Sequence, residues 1–463
     1  MGLDLIVFLI ALIPIPILVL MAKRASSADD EFGGRTYGRV MVGLSAAATG
    51  NSGFIMTGAV GLGYAYGAQW ILLPLSWLVG DLVFWKFGPR KINSYCSRNN
   101  YVNVAQIVAG NDKRLSPIIY AFTSLLLVVL LGAYISSQWI AGSKIISGFM
   151  EIDVTTSIIG IGVFVTGYCM IGKFRGSVYT DLYQGALMIF VTLVALYLAI
   201  TFDTLDKVAL PKGFESLAGQ LSATSLVAFI LGYAVASIGF GFSQPQIVSR
   251  YIAAKNSEEA ASAKWIYILF LQFTWIGMTY FGMLLKTKGF VVEDPEGALV
   301  PFFHLEGGDV LTGLAVAGIF AAIASTVDSI VVSITSLIKN RHNSIRASNA
   351  VMEVLAILAV GIFTVVVAIN IQGSVFAIAL LAISMVGATL GGPVIIRLYS
   401  LKHTDISIFA ALMGGGIAGY LWRSSEYAGL INEAIIGILI SVIINYSVVF
   451  IGQRSGTATN ENV

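Results

Sequence analysis

The chain has 463 residues, of which 57% are hydrophobic and only 11% are charged, and its formal net charge is +2. Soluble globular proteins carry about 25% charged residues, so this composition excludes an ordinary soluble domain and predicts a helical membrane protein. The small net charge gives no support to nucleic-acid binding. Two cysteines and three scattered histidines predict neither a disulfide framework nor a metal centre built on these residues.

Apolar stretches of about 20 residues follow one another along the chain, as expected for membrane-spanning helices. We number them as spans 0 to 12. They cover residues 3–22, 38–64, 67–87, 116–148, 154–173, 178–202, 224–247, 264–285, 309–337, 348–371, 374–397, 405–423 and 433–452. Together they predict a single membrane domain over residues 1–453, followed by a polar tail at 454–463 that we expect to be disordered.

The basic residues alternate between the two sides of this arrangement. If the N-terminus is outside, the cytoplasmic loops hold most of them, including Arg250, Lys255 and Lys264 between spans 6 and 7. Those left on the external side are Lys144, Lys207, Lys212, Lys286, Lys288 and Arg423. Because cytoplasmic loops are enriched in lysine and arginine, we expect a cell-membrane protein (inner membrane in a bacterium) with its C-terminus in the cytoplasm.

Two spans contain residues that favour interruption of the helix. Span 1 carries "ATGNSG" at 48–53, and span 6 carries "GFGFSQPQ" at 239–246. An unwound turn inside a bilayer is tolerated where it is buried in protein or lines a cavity, and transporters use such turns to bind ions and solutes. Breaks in spans 1 and 6 predict two five-helix repeats, 38–202 and 224–397, with extra helices at 3–22 and 405–452.

Acidic residues inside spans are costly and indicate functional positions. Asp81, Asp181 and Asp328 lie in spans 2, 5 and 8. At about 100° per residue, one face of span 8 groups small and hydroxyl side chains beside Asp328. This face comprises Ala322, Ser325, Thr326, Ser329 and Ser333. Hydroxyl and carboxylate oxygens suit a hard cation such as Na⁺, although hydroxyls can also bond back to their own helix.

Five segments resemble those of a known transporter family. They are "EFGGR" (31–35), "LSAAATGNSG" (44–53), "YTDLYQGALMIF" (179–190), "FSQPQIVSRYIAAKN" (242–256) and "AAIASTVDS" (321–329). The chain resembles the sodium:solute symporters, and within them most nearly the bacterial sodium/proline symporters. The resemblance implies an all-α LeuT-type fold of about thirteen transmembrane helices, with a 5+5 inverted repeat, one extra N-terminal helix and two extra C-terminal ones.

The resemblance also implies where cations bind. Backbone carbonyls of span 1 and groups of span 8 form the family's sodium site, which falls here on Ala48, Asn51, Ala322, Ser325 and Thr326. A second site used by some members would involve Asp181 with Ser325, Asp328 and Ser329, as a Na⁺ or H⁺ site, or these acids could be structural. Gly50 stands where the proline symporters carry an aspartate, and Asp328 could replace that charge.

For the solute, the resemblance implies a pocket between spans 1, 3, 6 and 10. Its matching positions are Phe54, Tyr134, Ser237, Gly241 and Pro245. The first, third and fourth are aromatic in the proline symporters, so the pocket should be roomier beside span 6. Gln138 could add a hydrogen bond, and the freed amides of Ser52 and Gly53 could receive a carboxylate. Alternatively, Phe54 and Tyr134 are ordinary core aromatics.

These observations predict Na⁺-coupled symport of a small organic solute, an amino acid or related compound that could be proline-like. H⁺-coupled symport of a small carboxylate or another solute is the alternative. A channel lacks support because no repeated filter residues occur, and a sensor lacks support because no signalling module follows span 12. A membrane enzyme lacks support because no histidine lies within the spans. We expect Na⁺ as the bound ion, and a monomer or weak homo-oligomer in the lipid bilayer.

Overall fold

The computed structural model describes residues 2–24, 33–111, 114–205, 209–339, 350–371 and 374–454. Within these ranges the chain forms helices joined by turns, and the β-type contact found there is a single bridge between Tyr37 and Ala254. The expected tail beyond 454 lies outside the described residues, as do the first residues of "EFGGR" and the loop that carries Arg341 and Arg346.

The described residues form eighteen α-helices, ten of which have 19 or more residues. In chain order they are α1 Leu3–Leu12, α2 Pro14–Arg24, α3 Arg39–Gly50, α4 Ala59–Tyr66, α5 Leu72–Asn99, α6 Val104–Ala109, α7 Ser116–Met150, α8 Val154–Thr201, α9 Ala223–Ser243, α10 Pro245–Ala253, α11 Ser257–Ser262, α12 Lys264–Thr287, α13 Leu299–Glu306, α14 Gly308–Lys339, α15 Ala350–Asn370, α16 Val375–Leu398, α17 Asp405–Arg423 and α18 Glu433–Arg454.

By length and composition, 11 segments of the described chain could cross a membrane. Two of them, Phe54–Asn99 and Val154–Thr201, have 46 and 48 residues, whereas one crossing needs about 20. Each contains a residue with left-handed backbone geometry, Gly67 (φ 73°) in the first and Lys173 (φ 50°) in the second. The all-helical, multi-pass class is confirmed, and the count of thirteen and the repeat remain predictions.

The predicted interruption of span 1 is confirmed. Helix α3 ends at Gly50, Asn51 leaves the helical region (φ −88°, ψ 74°), and a π-helical turn at Phe54–Gly58 leads into α4. A Cβ atom on Gly53 would lie 2.9 Å from both Gln138 Oε1 and Ile323 Cγ1. Glycine is therefore needed here because α7 and α14 approach the unwound turn closely.

The interruption of span 6 is confirmed as well. Helix α9 ends at Ser243, Gln244 is extended (ψ 111°), and Pro245 opens α10, where its missing N–H breaks no helical bond. All nine residues of α10 are buried, because this short helix packs among α3, α5, α9 and α14. The placement of Arg250 in a cytoplasmic loop was therefore wrong: its side chain is 1% exposed inside the bundle.

Glycines bring α4 and α12 into backbone contact. A Cβ atom on Gly63 would lie 1.9 Å from the carbonyl oxygen of Thr279, and one on Gly282 would lie 2.0 Å from that of Val60. Small residues allow membrane helices to approach this closely. The outer half of span 1 is therefore packed tightly against α12.

Candidate functional site

Hydroxyl groups of α14 contact the broken end of α3. Thr326 Oγ1 donates a hydrogen bond to the carbonyl oxygen of Thr49 at 3.0 Å, and Ser325 Oγ donates to Asp181 Oδ1 at 2.5 Å. Ser325, Thr326 and Asp181 are each 0% exposed. The fold thus joins the interrupted backbone of span 1 to the hydroxyl face of span 8.

The other residues expected at the sodium site lie in the same two elements. Ala48, Asn51 and Ala322 are all 0% exposed. The carbonyl oxygen of Ala48 accepts the Asn51 amide at 3.2 Å. Neither polar atom of the Asn51 side chain has a hydrogen-bond partner among the described residues. Buried polar atoms are normally paired, so this side chain has capacity for a ligand.

Beside this junction, Arg250 enters from α10. Its Nη2 donates to Ser329 Oγ at 2.5 Å and to Ser177 Oγ at 2.7 Å, and lies 3.2 Å from Asp181 Oδ2. Its Nε donates to Ser45 Oγ at 3.1 Å. The guanidinium therefore links the two interrupted spans to α8 and α14.

Asp328 completes this group. Its carboxylate accepts hydrogen bonds from Ser177 at 2.6 Å, Tyr168 at 2.9 Å and Ser329 at 3.1 Å. One buried carboxylate, Asp181, thus pairs with the guanidinium directly, and the other, Asp328, is linked to it through Ser177 and Ser329, an arrangement that compensates part of the charge internally. We call this group the arginine cluster, and it comprises Ser45, Ser177, Asp181, Arg250, Asp328 and Ser329.

On the other side of the break lies a small cavity of about 40 Å³. Its residues come from the break itself and from α5, α7, α9, α12 and α16. They are Gly50, Ser52, Phe54, Ile55, Leu73, Trp77, Tyr134, Tyr233, Phe240, Tyr267, Leu271, Trp275, Phe376, Ala379, Leu380 and Ile383. None of them is charged, and half carry aromatic rings, so we call this space the aromatic cavity.

The rings of the aromatic cavity pack against one another. The ring centroid of Trp275 lies 5.5 Å from that of Phe54 and 5.6 Å from that of Trp77. Trp77 Nε1 has no hydrogen-bond partner among the described residues, while Ser52 Oγ accepts the Phe54 amide at 3.2 Å. The walls are therefore apolar, with a few neutral polar groups that can orient a ligand.

The structure divides the residues expected around the solute. Ser52, Phe54 and Tyr134 line the aromatic cavity. Gln138 Oε1 accepts the Gly53 amide at 2.8 Å, so this amide already has a partner. The three remaining residues have other surroundings: Ser237 bonds to Asp81 Oδ1, Gly241 faces the Phe84 ring, and Pro245 begins α10.

Sequence reasoning missed the contributions of α5 and α12 to the cavity. Tyr267, Leu271 and Trp275 line it from α12, and Leu73 and Trp77 line it from α5. Both sets repeat every four residues, which places their members on one helix face. That spacing is visible in the sequence, but it also describes any helix packed in a core.

The sequence matches known transporters over nearly its whole length. A profile of the sodium:solute symporter family matches residues 32–415. The high-affinity proline transporter PutP of Bacillus subtilis (strain 168) is 24% identical, covering 95% of this chain and 96% of the relative. A sodium/proline symporter of Staphylococcus aureus is 25% identical, covering 95% and 91%.

Solved structures share the fold. The substrate-bound, outward-open state of a Na⁺-coupled sialic acid symporter matches with a TM-score of 0.76 at 18% identity, covering 97% of this chain and 98% of that one. A nucleobase-cation-symport-1 family transporter in a closed conformation matches with a TM-score of 0.56 at 11% identity, covering 93% and 96%. The protein is a membrane transporter rather than an enzyme, and it belongs to the sodium:solute symporter family.

Proposed function

We propose that this protein is a Na⁺-coupled symporter that carries a small organic solute, an amino acid or related compound, across the cell membrane. The observation that carries the proposal is the contact between the α14 hydroxyl of Thr326 and the freed carbonyl of Thr49. It joins the broken helix to an oxygen-rich face, and half-broken helices of this kind hold ions in transporters. Na⁺ is cargo here, driven inward with the solute.

The Na⁺ position we propose uses the carbonyls of Ala48 and Asn51, the hydroxyls of Ser325 and Thr326, and Ala322 as a small spacer. Hard cations prefer oxygen ligands, and this part of the bundle supplies them from two helices. Asp181 accepts the Ser325 hydroxyl and adds negative charge beside the site. A cation bound there would tie α3 to α14 and favour one conformation of the carrier.

The solute position we propose is the aromatic cavity. Aromatic and aliphatic walls suit a solute with a compact apolar body, and Trp77 Nε1 offers a free donor for one polar end. An apolar ring bearing a carboxylate has this chemistry, which, with relatives named as proline transporters, supports a proline-like solute.

We also propose that a single Na⁺ moves per cycle. Asp181, Asp328 and Ser329, expected as a second Na⁺ or H⁺ site, surround the Arg250 guanidinium in this structure. A fixed cation 3.2 Å from Asp181 Oδ2 and 2.5 Å from Ser329 Oγ, which in turn bonds to Asp328, supplies the charge that a second Na⁺ would bring, and two cations so close would repel strongly. A measured coupling of two Na⁺ per solute would contradict this point alone.

The test is thermal stabilisation of the purified full chain by a panel of amino acids and small carboxylates, with and without Na⁺. We expect stabilisation by a proline-like solute only when Na⁺ is present, because a bound ligand raises the free energy of unfolding. Thr326→Val, which removes the hydroxyl and keeps the volume, should raise the half-maximal Na⁺ concentration at least about tenfold.

Ser333→Ala is the matched control for Thr326→Val. Ser333 lies on the same helix, and its hydroxyl donates to the Ser329 carbonyl of its own helix at 2.8 Å. This variant should keep the wild-type Na⁺ response. Equal solute stabilisation in Na⁺ and in choline would overturn the proposed coupling, and equal Na⁺ responses of the two variants would overturn the proposed site.

A further inference from the structure

A third buried acid lies next to the aromatic cavity and has no part in the proposed sodium or solute sites. Asp81 is on α5, four residues and therefore one turn beyond the cavity residue Trp77. Its side-chain partner Ser237 is on α9, between the cavity residues Tyr233 and Phe240. Asp81 is 2% exposed and Ser237 is 0% exposed. The pair thus sits directly behind the cavity wall.

Asp81 has a single hydrogen-bond donor among the described residues. Ser237 Oγ donates to Oδ1 at 2.6 Å, and Oδ2 has no partner. Helices α5 and α9 are in close contact here, since a Cβ atom on Gly80 would lie 2.7 Å from the Ser237 Cβ. The carboxyl group is therefore held between two helices with one oxygen unpaired.

No described lysine, arginine or histidine forms an ion pair with Asp81, and its Oδ2 atom has no hydrogen-bond partner. The titratable groups that face it are the phenols of Tyr251 on α10 and Tyr267 on α12. Helix α11, which also packs on α5, directs Glu258 to Arg90 at 2.6 Å, and both of these side chains are exposed. Asp81 thus lacks the counter-charge that Arg250 gives to Asp181.

The energies of the two protonation states can be compared. An ionised carboxylate buried without a cation costs several kcal/mol, whereas an unsatisfied hydroxyl of the neutral acid costs about 1–3 kcal/mol. The neutral form is therefore favoured in this conformation. The carboxyl group lies one helical turn from the cavity-wall residue Trp77.

We infer that Asp81 is a proton-binding site coupled to the aromatic cavity, so that solute binding by this protein depends on pH. The acid form leaves the space behind the cavity wall uncharged. A solute that displaces cavity water makes an ionised Asp81 still less favourable, so by linkage the solute binds more tightly when Asp81 carries its proton. Solute affinity should therefore fall as the pH rises.

The first test is infrared spectroscopy of the full-length protein over a pH series. Wild-type protein should show the carbonyl absorption of a buried protonated carboxylic acid, and Asp81→Asn should lack it. Ser237→Ala should shift its frequency, because Ser237 donates to the carboxyl oxygen. If Asp81→Asn fails to fold, this shift in Ser237→Ala still identifies the group. An unchanged carboxylic-acid absorption in both variants would overturn the inference.

The second test measures solute binding at fixed Na⁺ over the same pH series. Wild-type affinity should fall about tenfold or more as the pH rises, and Asp81→Asn, which is always neutral, should lose this dependence. Asp309→Asn, at an exposed aspartate of α14, is the control and should behave as wild type. A pH profile in Asp81→Asn identical to that of wild type would overturn the inference. So would a loss of binding in Asp81→Asn that is restricted to solutes with an amine, because Asp81 would then bind the amine as a carboxylate.

These outcomes can be told apart from failure of the proposed Na⁺ coupling. The infrared absorption of Asp81 requires neither Na⁺ nor solute, and the binding series holds Na⁺ constant. If the solute bound equally well without Na⁺, the pH dependence through Asp81 would still be measurable. Conversely, a pH-independent protein could remain fully Na⁺-dependent through Thr326.

Discussion

The arginine cluster and the aromatic cavity lie on opposite sides of the same helix break, and they differ in whether their polar atoms have hydrogen-bond partners. In the cluster, Arg250, Asp181 and Asp328 pair with one another or with hydroxyls. In the cavity wall, Trp77 Nε1 has no partner among the described residues, and no lining residue carries a charge. The difference matches the proposed roles, in which the cluster stabilises the bundle and the cavity receives the solute.

Arg250→Ala gives the strongest test of this contrast. Removal of the guanidinium leaves Asp181 and Asp328 without their shared cation, and breaking a buried ion pair from one side costs about 3–5 kcal/mol. We expect a large fall in the melting temperature of the purified protein, measured by intrinsic fluorescence.

Arg90→Ala is the matched control for Arg250→Ala. Arg90 pairs with Glu258 at 2.6 Å, but their side chains are 60% and 67% exposed. Exposed pairs contribute about 0–1 kcal/mol, so this variant should melt close to wild type. Equal melting temperatures for the two variants would show that the cluster does not stabilise the bundle.

Trp77→Phe tests the cavity side of the contrast with a smaller expected effect. An aromatic side chain is kept, but the unpartnered N–H and part of the indole ring are lost, so a modest loss of stability from the smaller buried side chain is expected. If the N–H donates to the solute, affinity should fall by a net hydrogen bond of about 0.5–1.5 kcal/mol, or roughly two- to tenfold. Solute titrations of the purified protein measure this change.

Trp139→Phe should show the reverse pattern. Its Nε1 donates to Thr364 Oγ1 at 3.1 Å, and the residue is fully buried away from the cavity lining. Removing this N–H takes one buried hydrogen bond from Thr364 Oγ1, which still donates to the Val360 carbonyl, and should lower stability with solute affinity unchanged. If both tryptophan variants lost stability and kept affinity, the cavity would be ordinary core.

The smallest effect is expected at His403. This histidine contacts Arg397 near the edge of the bundle, whereas Arg250 lies inside the bundle. Arg397 Nη1 lies 2.9 Å from His403 Nε2, and Leu401 O lies 2.6 Å from Nδ1. Burial, with a further contribution from Arg397, lowers the pKa of His403 below its ordinary value. The folded protein thus keeps this imidazole neutral while the unfolded chain still takes up a proton.

It follows that the His403 contribution to stability is present above the ordinary histidine pKa of about 6.5 and is lost as the pH falls below it. The melting temperature of His403→Gln should fall less than that of wild type as the pH is lowered from 7 to 5. Melting curves over that range measure the difference. The same acid dependence in both proteins would assign it to other groups.

Much of the site was predictable because its residues differ sharply from a membrane helix. Glycine, asparagine and serine at 50–53, and proline at 245, disfavour continuous helix in any context. The structure has breaks at both places. The hydroxyl face of α14 was also predictable, since helical periodicity alone brings Ser325, Thr326 and Ser329 together.

Other features depend on packing between distant segments, and periodicity carries no information about it. Arg250 follows a proline after an apolar span, a pattern typical of a cytoplasmic loop, and only the tertiary fold shows α10 entering the bundle. From the sequence, Gly241 was expected to leave open space in the solute pocket beside span 6. Instead, a Cβ atom there would lie 2.6 Å from the Phe84 ring, so this glycine allows close helix contact.

The glycine contact between α4 and α12 has a mechanical consequence. Gly63 and Gly282 each place a neighbouring backbone carbonyl about 2 Å from where a Cβ would be, so the two helices cannot slide past each other without a clash. We therefore expect α4 to move together with α12, which carries the cavity residues Tyr267 and Trp275. Helix α3, on the far side of Asn51, is fastened to α14 through Thr326. The two halves of one sequence span are thus held mainly by different partners, and we expect the unwound residues between them to be where the halves can move relative to each other.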